Sequence, residues 1–165
     1  MKRTAILLIL IAVVLLGAAA DLAWHYPRLP ERVATRFGSA GNAIEWTSKS
    51  GFLTGNVCMY GCLALCFAGL RLALPWIPAG LINVPRQDYW LTPARLDYTR
   101  ALVGDFLLAF GAVMLSFVAG LQHLTLRANL TPDPHLGTGV WVLLGSYLAV
   151  TIVLIVGLVR RFRRP

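Results

Sequence analysis

The chain is expected to be an all-α integral membrane protein, with four transmembrane helices and a short structured extracytoplasmic loop between the first two. Three observations give that class. Of its 165 residues, 58% are hydrophobic and 13% charged, with a mean hydropathy of +0.69. Soluble domains carry about 25% charged residues and under about 50% apolar ones. The apolar residues gather in four runs, each near the ~20 residues that cross a hydrocarbon layer at 1.5 Å per residue. Trp24, Tyr26, Trp76 and Trp141 stand at the ends of those runs, where amphipathic rings meet lipid headgroups.

The first span is expected over residues 4–24, flanked by Lys2 and Arg3 and free of charge before Asp21. A basic start, an apolar run and Gly17-Ala18-Ala19-Ala20 before Asp21 also fit a cleaved signal peptide. The run exceeds the usual signal core, which favours a retained anchor. Pro27 and Pro30 end this helix, because proline lacks an amide donor and restrains the residue before it. In the outer loop, residues 25–51, Pro30-Glu31-Arg32-Val33 is expected to open a short surface helix. Gly38, Gly41 and Asn42 mark turns, and Ile44 and Trp46 are placed to dip towards the bilayer surface. Ser48 or Ser50 is expected to cap the second span, residues 52–76.

An inner loop, residues 77–100, leads to a third span over 101–124. A second outer loop, 125–139, leads to a fourth over 140–159, and the tail is 160–165. Four crossings put both termini on one side. On that side lie Lys2, Arg3, Arg71, Arg86, Arg95, Arg100, Arg160, Arg161, Arg163 and Arg164; Arg28, Arg32, Arg36, Lys49 and Arg127 lie opposite. Ten basic residues against five favour cytoplasmic termini. Without an internal repeat or flexible linker, residues 1–165 read as one domain. The net charge of +8 is scattered around the apolar runs, with the basic tail directly after the last one. That distribution points to membrane lipids and away from nucleic acid.

The outer loop resembles a bacterial membrane domain of unknown function found at the N-terminus of SdpI-type toxin-immunity proteins. The residues that carry the likeness are Leu29, Pro30, Thr35, Phe37, Gly41, Trp46 and Lys49. In the inner loop, Asn83, Pro85, Tyr89 and Trp90 resemble the asparagine-x-proline…tyrosine-tryptophan element of the same family. The likeness touches residues 5–100. It implies a bacterial inner-membrane protein with an immunity-like or sensing role. Arg36 stands where relatives often have histidine, and Ala43-Ile44 replaces proline-aspartate, so whatever those groups do in relatives is altered here. The further membrane helices of full-length immunity proteins have no counterpart in these four spans.

Several residue sets could carry chemistry. Cys58, Cys62 and Cys66 form one stripe of the second span at i, i+4, i+8. Three thiols suit a soft metal, but one helix face cannot wrap an ion, so the stripe reads as small residues that let helices approach. His25, His123 and His135, with Asp21 near them, all fall on the outer side. They are weak metal candidates, since their spacings match no metal motif. Arg71 and Asp105 sit at matched depth inside the inner boundary. An unpaired charge at the bilayer centre costs at least ~2.5 kcal/mol, so they are expected to pair, with Arg71 snorkelling to the surface as the alternative. Asp21 and Asn56 are matched in depth near the outer boundary. The sequon at Asn129 is followed by Pro132 and is disfavoured.

A phosphate-binding glycine loop, HExxH and GxSxG are all missing from the sequence. A non-catalytic membrane protein is therefore expected, without a cofactor, acting through helix and loop contacts. It would be an accessory, sensing or immunity-like module, with other membrane subunits or a second copy as partners. A small transporter or ligand binder is one alternative, and a metal-dependent membrane enzyme using the outer histidines is another.

Overall fold

A computed structural model describes residues 2–163. Arg164, counted above with the tail, lies outside the described residues. The elements are α1 (Lys2–His25), β1 (Arg32–Phe37), β2 (Ala43–Ser48), α2 (Lys49–Ala73), α3 (Gln87–Trp90), α4 (Leu96–Ala128) and α5 (Gly139–Arg163). Among the described residues, α1, α2, α4 and α5 are the four helices long and apolar enough to cross a membrane. The helix α4, with 33 residues, starts earlier and runs later than the 101–124 span expected of it.

The local stop signals act as their chemistry dictates. Pro27 falls in a 3-10 turn over Tyr26–Arg28 that closes α1. At the start of α2, the Ser48 hydroxyl accepts a hydrogen bond from the Gly51 amide at 3.0 Å, which satisfies one of the unpaired donors of the first turn.

Where a surface helix was expected from Pro30, the chain instead forms an antiparallel hairpin. Arg32 pairs with Ser48, Val33 with Thr47 and Ala34 with Trp46, and the register shifts after Ala34. Short strands rich in β-branched and aromatic residues prefer this extended state when a buried surface receives them. Val33 and Ala34 are both fully buried. The sequence signal was masked because two consecutive inward residues break the alternation of a half-buried strand. The register shift, of the kind that makes a β-bulge, lies just after them. At the hairpin tip Gly41 has φ +87°, the left-handed region that favours glycine.

The outer edge of β1 would otherwise expose unpaired backbone groups. Asn129, at the end of α4, covers it. Its side-chain oxygen accepts from the Ala34 amide at 2.7 Å, and its side-chain nitrogen donates to the Ala34 carbonyl at 2.9 Å. The carboxamide thus takes the place of a third strand. Beyond it, the loop before α5 crosses the tip, with the Leu136 amide bonded to the Gly41 carbonyl. A core of Leu22, Leu29, Val33, Phe52 and Leu126 lies beneath the hairpin.

The helix α4 is the hub of the membrane-length part. Of its most apolar stretch 28% is buried, against 11% in α1 and α2 and 0% in α5, and each of the other three packs on it. Small residues let them come close. A side chain on Gly111 would meet the Phe67 ring of α2 at 2.7 Å, and one on Gly120 would meet Leu143 of α5 at 2.8 Å.

Hydrogen bonds fix which ends lie together. Thr4 bonds Asp105 at 2.7 Å, Trp90 donates to the Phe162 carbonyl at 2.8 Å, and Arg161 donates to Tyr98. The start of α1, the loop before α4 and the end of α5 therefore share one end, the tail end; the hairpin caps the other. It follows that α1 runs parallel to α4, and α2 and α5 run antiparallel to it.

Asn129→Ala is expected to leave the Ala34 amide and carbonyl buried without partners, costing about 1–3 kcal/mol for each group left unsatisfied. Gly111→Ala should loosen α2 from α4. Thermal unfolding in detergent checks both, each with a lower midpoint than the parent.

Candidate functional site

The hairpin end gathers the polar groups that the spans otherwise lack. Asp21 and His25 stand one turn apart near the end of α1, and His123 comes from the facing turn of α4. The Asp21 Oδ1 atom is 2.9 Å from His123 Nδ1 and 3.2 Å from His25 Nδ1, so one carboxylate oxygen serves both imidazoles. The His25 Nδ1 also lies 2.8 Å from the Asp21 carbonyl. The two rings meet edge to face, 5.7 Å between centroids. Potential ligand atoms of all three residues fall within 4.8 Å of one another.

Helix pairing sets this geometry. Because α1 and α4 run parallel, residues about equally far along each come face to face. Thr4 to Asp21 is 17 residues and Asp105 to His123 is 18. At 1.5 Å per residue the Thr4–Asp105 and Asp21–His123 links stand roughly 26 Å apart. One turn below Asp21, Gln122 donates to the Ala18 carbonyl at 2.9 Å. Tyr60 of α2 lies within electrostatic range of Asp21. Among the described residues, Asp21 Oδ2, Tyr60 Oη and Gln122 Oε1 are buried and have no hydrogen-bond partner. A carboxylate can accept about four hydrogen bonds; here every partner sits on Oδ1.

The three histidines do not converge. His25 and His123 do, while His135 donates to the Ala40 carbonyl at 2.8 Å and belongs to the hairpin tip. Its neighbour in that contact is the Gly41 turn, where an added side chain would meet the His135 ring at 2.7 Å.

Arg71 and Asp105 do not pair. They share a depth but not a direction. Gly104 faces the Arg71 side chain of α2, and the next residue is turned roughly 100° around the helix. That turn sends Asp105 to Thr4 of α1 instead. Nor does Asn56 reach Asp21; its side chain donates to the Phe52 carbonyl one turn back at 2.9 Å.

Cys58, Cys62 and Cys66 are exposed. Phe52, Phe67 and Arg71 of α2 meet α4, and the three cysteines lie on another, exposed face. Within this chain the cysteines therefore join no helix contact.

Most residues of the loop motif are structural. Leu29 is core, and Gly41 makes the turn. The Lys49 ammonium donates to the Leu29 carbonyl at 3.1 Å and sits 5.0 Å from the Tyr26 ring centre. Pro30, Thr35 and Trp46 are exposed and Phe37 is half-buried. In the loop before α4, Asn83 accepts from Gln87, Pro85 precedes the left-handed Arg86, and Tyr89 carries Arg95 on its ring. Trp90 is buried against Phe162. This second motif anchors the tail.

Sequence reasoning places Gln122 near the outer histidines but misses Tyr60 and the role of Asn129, which reads there only as a sequon; the signal for Asn129 is a carboxamide at the end of an apolar helix. Between the hairpin and the α2–α4 seam lies an open groove of about 600 Å³, with Arg36, Phe37, Asn56, Met59 and Gln122 on its walls.

One family model, described as Domain of unknown function (DUF1648), matches residues 5–59. The match spans α1, the hairpin and the first turns of α2, and so includes Asp21 and His25 but not His123. Neither the curated proteins nor the solved structures give a match.

Asp21→Ala is expected to leave the His123 imidazole without its carboxylate acceptor, while His25 keeps the backbone carbonyl of residue 21, and to cost about 0.5–1.5 kcal/mol. A lower unfolding midpoint in detergent, with His135→Ala leaving the α1–α4 seam intact by cross-linking, checks this.

Proposed function

We propose that the chain is a non-catalytic module of the bacterial inner membrane, accessory, sensing or immunity-like, acting by contact through its hairpin end. The observation that carries this reading is the way Asn129, Lys49 and Leu136 hold the hairpin against the helix ends. A two-stranded ribbon alone is marginal in water; this one is held as a platform. Its outward surface offers Ile44, Trp46 and an Arg36–Glu45 pair at 2.6 Å. A rigid aromatic on a fixed platform is well suited to protein recognition. The likeness of this loop to the N-terminal domain of SdpI-type immunity proteins supports the same reading.

Both termini lie in the cytoplasm, by the ten-to-five distribution of basic residues, and the hairpin faces outward. The apolar faces of α1, α2 and α5 that are not turned to α4 are lipid-covered or meet other membrane subunits. The groove beside Asn56 and Gln122 supports a second reading, in which a small ligand is bound between hairpin and bundle.

Ser39→Cys at the hairpin tip should react with a membrane-impermeant maleimide in intact cells, and a C-terminal fluorescent fusion should be bright. Mild purification from native membranes should recover a partner that Trp46→Ala releases. A lone monomer by native mass spectrometry, unchanged by Trp46→Ala, would count against contact as the mode of action.

A further inference from the structure

We infer that Asp21, His25 and His123 form a binding site for a divalent transition ion, zinc above all, that links α1 to α4 at the hairpin end. The inference does not depend on the role proposed for the hairpin. Two imidazoles and one carboxylate are the nitrogen–oxygen donor set that zinc takes when it keeps a fourth position open. Imidazole selects such ions over magnesium and calcium, which prefer all-oxygen sites.

The geometry is close to that of an occupied site. Zinc–ligand bonds near 2.0–2.1 Å place tetrahedral ligand atoms roughly 3.3 Å apart. Asp21 Oδ1 stands 2.9 Å and 3.2 Å from the two Nδ1 atoms, and the set lies within 4.8 Å overall. Movements of a few tenths of an ångström in Asp21, with a somewhat larger one between the rings, would seat an ion. Each ring would bind the ion through Nδ1 as neutral imidazole and carry its single proton on Nε2, so any proton on Nδ1 moves to Nε2 or leaves to solvent. The His25 contact to the Asp21 carbonyl would give way to the metal bond.

Two further features favour an ion over a purely hydrogen-bonded cluster. Asp21 Oδ2 is buried without a partner, and a carboxylate bound to an ion would use that oxygen or its twin. The His123 side chain is 45% exposed while His25 is 13% exposed, so one imidazole is buried in the seam and the other is open to an incoming ion.

The test uses the full-length chain in detergent, purified without a histidine tag and stripped with a chelator. It is run on the parent and on a Cys58→Ala, Cys62→Ala, Cys66→Ala variant, because the exposed thiols could bind zinc themselves. Calorimetric titration with zinc should give one ion per chain in both proteins. Cobalt should produce the visible absorption of a low-coordinate site, and zinc should bleach it. His25→Ala and His123→Ala should each weaken binding by at least about tenfold, the lower end of what even a supporting residue costs. His135→Ala should leave it unchanged, and magnesium should not bind. Absence of zinc heat and cobalt absorption in the cysteine-free protein would overturn the inference, as would full-strength binding by the folded His123→Ala variant.

Discussion

A hydrocarbon layer offers no hydrogen bonds, so each polar group near it must find a partner within the protein or reach the surface. In this chain α4 meets most of that demand. Asp105, Gln122, His123 and Asn129 lie along its length and engage Thr4, Ala18, Asp21 and Ala34 in turn. Three of these links tie α1 to α4, and the fourth ties the hairpin to the end of α4. Removing α4 from the arrangement would leave α1, α2 and α5 with few contacts among themselves. Its glycines set how closely the others approach, and its polar side chains set their register.

The spacing of the links also matches the solvent. Those at Thr4–Asp105 and Asp21–His123 stand roughly 26 Å apart along the helices, just within a hydrocarbon core of about 30 Å. Between them α1 offers only apolar side chains, Leu7 and Leu10 among them. The two polar levels therefore sit close to where water or headgroups begin, and the charged residues avoid the centre of the layer. At the tail end the same economy appears in Trp90, whose indole satisfies the Phe162 carbonyl at the end of α5.

Helix number, helix limits to within a few residues and several terminators were legible in the sequence, because hydropathy, proline and capping serine act locally. Depth along a helix was legible too, which is why Arg71 and Asp105 were matched. Direction around the helix was not. Adjacent positions on α4 face different neighbours, and only the choice of neighbours decides whether a depth match becomes a contact. The cysteine stripe failed for the same reason: its periodicity was visible, but its phase relative to Phe52, Asn56 and Phe67 was assigned no partner. The hairpin escaped because a register shift puts Val33 and Ala34 both inward, and because its edge is closed by a side chain 95 residues away. The Asp21–His25–His123 cluster was partly legible. His25, His123 and His135 were all candidates with Asp21 near them, but only the parallel run of α1 and α4 brings His123 to Asp21 while His135 stays at the hairpin tip.

The parallel pairing of α1 with α4 can be tested directly by disulfide trapping in native membranes. In the cysteine-free background, paired cysteines at Thr4 and Asp105, and separately at Ala18 and Gln122, should cross-link on mild oxidation, while the mismatched pair Thr4 and Gln122 should not. Cross-linking of the mismatched pair, or failure of both matched ones with the protein still folded, would contradict the arrangement on which the hairpin end and its Asp21–His25–His123 cluster depend.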